Sequence, residues 1–263
     1  MIKRLTLFRE YALPNLMNVE AILKEIYTAR CQDLKEYTLF DGGAHKGYHT
    51  IRMLDLSGCK RVYAVEADPF MAQAFNTILE TQRPNDLDRV SFHQKALQDD
   101  PARASIPWKS STTHVGRSSI VATNSERQTI WGDNPDMVYR ESFEVPATTI
   151  DALLADEPLP IPFLKLDLEG ADLIALRGAR KTLRTKRPVV AFENSVHAPK
   201  VHGFTLEEMA AYFDGLGYVP INFVGERMTP DSWFGFFEAW LAPEEDANWL
   251  AGQLDEALAR RGI

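Results

Sequence analysis

The stretch Phe40-Asp-Gly-Gly-Ala-His-Lys-Gly-Tyr-His-Thr50 sets an acid, Asp41, directly before glycines at 42, 43 and 47. Apolar Leu39 and Phe40 lead in and a helical pattern follows. The segment reads as strand, tight turn and helix start, the crevice in which α/β sheets hold nucleotide-like ligands. Glycine suits this place because a Cβ would block both the turn and close approach of backbone to ligand. A second acid, Glu66, closes the apolar run Val62-Tyr-Ala-Val65. A carboxylate at a strand end can accept hydrogen bonds from both hydroxyls of a ribose. The G-x-G-x-x-G of a dinucleotide site and the Gly-Lys-Ser/Thr of a phosphate loop are both missing. Asp41 would also face a pyrophosphate with like charge. A cationic or zwitterionic ligand bearing a ribose fits better, and S-adenosylmethionine is such a ligand; the alternative is a plain surface turn.

Further along, Lys165, Asp167 and Glu169 follow one another at period two, so their side chains share a direction if the strand runs that far. A lysine in a buried strand needs a carboxylate partner, and both an ion-paired structural role and catalysis fit it. Phe192-Glu193-Asn194 ends another apolar run, and His197 and His202 lie in the loop beyond. Histidine titrates near neutrality, so Glu193 or His197 can serve as a base or simply hold a substrate.

Alternating helical and strand-like segments must position these groups. Helices are expected over 16–36, after Gly47 to Gly58, after the cap Asp68 with Pro69 at the first position, over 149–154, around Leu173–Leu183, after the capping box Thr205-Leu-Glu-Glu208, and over 243–260. Strands are expected at 61–66, 90–97, 162–168 and 188–193. Residues 218–224 and 234–241 then read as two consecutive strands, a closing hairpin. Between 100 and 146 the alternation breaks. Short strand-like pieces at 118–123 and 141–145 lie in that insert, with Trp108, His114, Arg117, Trp131 and Tyr139 as recognition side chains or as packing on a sheet edge. Trp233 and Trp240 suit either an interface or the packing of the last strands.

The chain has 263 residues, 45% of them hydrophobic, enough for one full core. We expect a helical extension over 1–37 and one α/β domain over 38–263. A net charge of −8 disfavours a nucleic-acid partner. Two cysteines, Cys31 and Cys59, offer neither a disulfide framework nor metal-ligand spacing. No apolar run reaches membrane-spanning length and the first residues lack a signal peptide, so a cytoplasmic protein with no membrane partner is expected.

Residues 164–179, Leu-Lys-Leu-Asp-Leu-Glu-Gly-Ala-Asp-Leu-Ile-Ala-Leu-Arg-Gly-Ala, closely resemble the signature of the FkbM family of S-adenosylmethionine-dependent methyltransferases. Thr149-Ile-Asp-Ala-Leu upstream and Arg187-Pro-Val-Val-Ala-Phe-Glu193 downstream match as well, over about residues 38–240. The resemblance implies a Rossmann-like class I fold: a mostly parallel seven-stranded sheet, an antiparallel last strand and helices on both faces. It places Asp41, Gly43 and Gly47 beneath the methionine part of the cofactor, Glu66 on the ribose, and Ala96 and Leu97 along the adenine. Asp167 and Glu169 fall beside the reacting methyl group. The implied activity is O-methylation of a hydroxyl on a small molecule, a natural product or saccharide, with Asp167, Glu193 or His197 as catalytic groups. Asp167, Glu193 and Asn194 also look like the Mg²⁺ site of catechol-type O-methyltransferases. The rivals are a non-catalytic cofactor-binding relative and a nicotinamide-dependent oxidoreductase.

Overall fold

A computed structural model of the chain describes residues 16–110, 142–195, 198–235 and 238–262. The main sheet has seven strands in the spatial order β3-β2-β1-β7-β8-β10-β9. They are β1 (Tyr37–Gly42), β2 (Cys59–Val65), β3 (Val90–His93), β7 (Phe163–Leu166), β8 (Val189–Glu193), β9 (Tyr218–Asn222) and β10 (Glu238–Pro243). The first five pair in parallel, whereas β10 runs antiparallel to both β8 and β9. This is the expected Rossmann-like arrangement. The expected closing hairpin is β9–β10, with the last strand in sequence slotted one place inside the sheet edge.

Alternation along each strand sends residues to two buried faces. Leu39, Phe163, Ala191 and Trp240 pack on one face, beneath α1 (Leu16–Cys31), α2 (Tyr48–Leu54), α3 (Pro69–Gln82) and α9 (Ala247–Ala259). Phe40, Leu164, Phe192 and Leu241 pack on the other, beneath α4 (Ile150–Leu153), α5 (Asp172–Arg177), α6 (Arg180–Lys186) and α8 (Leu206–Asp214). A short α7 (Ala198–His202) precedes α8. Helix α1 belongs to the first face rather than standing apart, since Ile22, Ile26 and Tyr27 are buried with the strands.

Local chemistry fixes the helix starts. Asp68 accepts the backbone N–H of Phe70 and Met71 at the head of α3. Thr149 caps α4, and the Thr205–Glu208 capping box closes in both directions at α8. Asp151 takes the N–H groups of Lys181 and Thr182 and thereby anchors α6.

Two expectations need correction. The run 90–97 is not one strand: the Lys95 N–H donates to the His93 carbonyl, and this tight turn throws β4 (Ala96–Leu97) into a second sheet. There β4 joins β5 (Ser105–Trp108) and β6 (Phe143–Thr148), which pair antiparallel with each other. The helix around Leu173–Leu183 divides in two at Gly178. Trp233 and Trp240 are core residues, 0% and 1% exposed. The expected strand at 118–123 and the side chains of His114, Arg117, Trp131 and Tyr139 lie outside the described residues. Among those described, no helix is long and apolar enough to cross a membrane.

Candidate active site

The carboxyl ends of β1, β2 and β7 open onto a cavity of about 450 Å³, a volume suited to a nucleoside-sized ligand. It lies where the strand order reverses about β1, at the topological switch point of the sheet. Glu66 forms part of its wall and is 8% exposed. Its Oε1 accepts the Asp68 N–H and its Oε2 the His45 N–H, both at 2.8 Å. Each oxygen keeps a second lone pair. Burial pushes the carboxyl up to about 7 against the pull of those two N–H groups. Ala96 and Leu97 line the same cavity. Trp108 and Met71 add apolar surface nearby, and the Trp108 indole lies 3.4 Å from an Asp68 carboxylate oxygen.

The three glycines divide their work. Gly43 lines the cavity in a left-handed conformation, and a Cβ on it would sit 1.9 Å from the Asp167 carbonyl oxygen. Gly42 and Gly47 are not on the cavity wall: added carbons would press on Leu166 and on the Phe75 ring. Asp41 also lies behind the wall, 0% exposed, rather than on it. Its Oδ2 accepts the Thr50 hydroxyl at 2.6 Å and its Oδ1 stands 3.4 Å from the Lys165 ammonium. Lys165 in turn donates to the Gly43 carbonyl at 2.9 Å and stands 3.7 Å from Asp167. Burial alone would lower this ammonium's pKa, but Asp41 and Asp167 outweigh it and hold the group well above the ordinary lysine value. Lys165 therefore ties the glycine turn to β7. Asp41 reaches the cavity only through that lysine.

Strand β7 stops at Leu166. Glu169 sits beyond a turn in left-handed backbone, φ 52°, so the period-two argument does not extend to it. Asp167 and Glu169 nevertheless both line the cavity. Glu193 ends β8, 4% exposed, with its Oε2 buried and without a hydrogen-bond partner. Burial, followed by the charges of Asp172, Asp167, Glu169 and Glu238, raises its carboxyl well above the usual range. The Asn194 amide turns into the core and donates to the Trp233 carbonyl at 2.5 Å. Among the described residues no group of three His, Cys, Asp or Glu side chains could hold a metal ion, which leaves the expected Mg²⁺ without support. His197 lies outside the described residues.

Sequence reasoning missed four charged groups. Glu20 of α1 reaches the cavity and pairs with His49 at 2.6 Å. Burial pushes Glu20 up, yet the His49 hydrogen bond and charge bring it below the ordinary value. Asp172 accepts the N–H groups of Leu168 and Glu193, and burial and Asp167 push it up to about 7. Glu238 stands opposite Glu193 in register. His49 was visible in the glycine-loop motif and Asp172 in the 164–179 signature. Nothing local in sequence could have brought Glu20 or Glu238 to this place.

Comparison with solved structures returns several methyltransferases. A methyltransferase FkbM from Methylobacillus flagellatus is 17% identical over 79% of this chain and 44% of its own, with a TM-score of 0.47. The chain thus spans less than half the length of that protein. An O-methyltransferase from Bacillus cereus in complex with SAH is 15% identical over 92% and 99% of the two chains, with a TM-score of 0.42. An rRNA methylase from Streptococcus thermophilus is 12% identical over 83% and 94%, with a TM-score of 0.39. No curated protein matches by sequence. The model of the methyltransferase FkbM domain matches residues 41–220, from the acid of the glycine turn to strand β9 and well over half of the chain. The chain belongs to the FkbM methyltransferase family.

Proposed function

We propose that this protein transfers a methyl group from S-adenosylmethionine to a hydroxyl of a small molecule. The observation that carries the cofactor reading is Glu66, a buried carboxylate on the cavity wall with lone pairs to spare, beside the close-approach turn at Gly43. The ribose would bridge the Glu66 oxygens, the adenine would lie along Ala96 and Leu97, and the methionyl part would pass over Gly43. S-adenosylmethionine supplies an electrophilic methyl whose bond to sulfur breaks with the electron pair remaining on sulfur. The acceptor oxygen forms the new bond, and its proton must leave. Asp167 lines the cavity with its side chain half exposed, and burial raises the proton affinity of Glu193. Asp167 receives the hydroxyl hydrogen bond, and Glu193 is the group that takes the proton. Much of the acceleration comes from alignment alone. The net charge of −8 favours a small acceptor over a nucleic acid.

Glu193→Gln tests the base. Turnover should fall at least about 100-fold, with S-adenosylmethionine affinity within a factor of about two, since that side chain is remote from Glu66. Retained turnover would remove Glu193 from the reaction.

A further inference from the structure

Glu20 is a carboxylate on the cavity wall that the reaction above does not use. It comes from α1, ahead of residues 41–220, so the family match does not reach it. Glu66 joins the wall through the His45 and Asp68 N–H groups. Glu20 joins it through His49 and through the charge of Lys165, the residue that bonds the Gly43 carbonyl. Glu20 is held by one oxygen only. Its Oε2 is buried and stands 2.6 Å from His49 Nε2. The side chain is nevertheless 36% exposed, and its Oε1 is neither buried nor hydrogen-bonded among the described residues. His49 is itself fixed. It is buried on α2, and the rings of Tyr27 and Tyr48 stand edge-on to it at 6.4 and 5.2 Å. Burial would raise the Glu20 carboxyl, but His49, Lys165 and Arg52 together bring it below the ordinary value, so it is ionised at neutral pH.

An ionised carboxylate with a spare oxygen on a ligand cavity suits a cation that brings N–H donors. S-adenosylmethionine carries two cations, and only one of them can donate. The sulfonium has no hydrogen, whereas the α-ammonium has three. The two also differ in the reaction. A carboxylate at the sulfonium would stabilise a charge that transfer consumes, and so would slow the step. The ammonium keeps its charge throughout, so a carboxylate there adds binding without opposing transfer. The neighbouring acids are committed elsewhere: Asp41 lies behind the wall on Thr50 and Lys165, and Asp167 stands beside Lys165.

We propose that Glu20 receives the α-ammonium of S-adenosylmethionine on its Oε1, with His49 as the positioning residue that holds Oε2. This deepens the methyl-transfer reading and rests on it. Helix α1 thereby becomes part of the cofactor site, and a nucleoside without the amino group binds less well.

The test is calorimetric titration of the full chain with S-adenosylhomocysteine, with its deamino analogue, and with methylthioadenosine, which lacks the whole amino-acid end. S-adenosylhomocysteine has no sulfonium, so the ammonium is its only cation. The unaltered protein should bind the deamino analogue at least about tenfold more weakly than S-adenosylhomocysteine. Glu20→Gln should lose at least about tenfold in affinity for S-adenosylhomocysteine, with methylthioadenosine affinity within a factor of about two. His49→Phe should narrow the preference for S-adenosylhomocysteine over its deamino analogue and leave methylthioadenosine binding in place. Equal affinity of the unaltered protein for S-adenosylhomocysteine and its deamino analogue would overturn the proposal, and that comparison holds whatever the substitutions do to folding. A Glu20→Gln variant that keeps the preference would overturn it as well. In both cases the cofactor reading would stand. Failure of the unaltered protein to bind any of the three would instead overturn the methyl-transfer reading, and the role of Glu20 with it.

Discussion

Both oxygens of Glu66 are held by backbone N–H groups, one from His45 in the glycine turn and one from Asp68 at the head of α3. The carboxylate is thus oriented before any ligand arrives, and each oxygen keeps a second lone pair. Glu66→Ala should weaken S-adenosylhomocysteine binding by about 1.5–3 kcal/mol, the range for charge-assisted hydrogen bonds. Calorimetric affinity checks this, and an unchanged Kd would move the ribose elsewhere. Its place at a strand end made Glu66 legible in sequence, and the family signature did the same for Asp167. It did not separate residues on the cavity wall from those behind it. Asp41 looked like a ligand contact but is fully buried on Thr50 and Lys165, because its place in the glycine motif reports the strand end and not the direction of its carboxylate.

At the scale of the elements, the turn between β1 and α2 is pinned from below by Lys165 and from the side by the Asp167 backbone, whose N–H donates to the Gly42 carbonyl. Gly43→Ala would drive a Cβ into the Asp167 carbonyl in a backbone conformation that alanine resists. A loss of roughly 2–4 kcal/mol is expected. Gly252→Ala, in α9 with nothing within 4 Å of the new carbon, is the control. It should stabilise by about 0.5–1 kcal/mol. Denaturant midpoints of the two variants measure both effects, and similar midpoints would contradict the close approach at Gly43. The caps at Asp68 and Thr205 could be read from sequence because a cap is a contact between near neighbours. The break of 90–97 into β3 and β4 could not, because apolar Ala96 and Leu97 fit either sheet and only the partner strand β6 decides between them.

For the whole molecule, buried carboxyls set the response to pH. Glu66 and Asp172 are pushed up to about 7, and Glu193 and Glu238 are also raised, chiefly by burial. Above the ordinary carboxylate range the unfolded chain has released these protons while the folded chain still holds them, so stability falls as pH rises toward 7. Glu20, Glu25 and Asp86 have lowered values through His49 and arginine partners, and their stabilisation is lost as pH falls below the ordinary range. Stability of the free protein should therefore peak near about pH 5 and decline by about 1–3 kcal/mol by about pH 8. Denaturation curves across that range check the sign, and Asp172→Asn should flatten the alkaline limb. A rise in stability from pH 5 to 8 would contradict the raised values of these buried carboxyls. The central claim concerns the cavity at the head of β1 and β2, and calorimetric titration with S-adenosylmethionine and, separately, with NAD tests it most directly. Binding of S-adenosylmethionine with a Kd on the order of 1–10 μM and no binding of NAD is the predicted result. A folded sample that binds NAD, or that binds neither, would contradict the account.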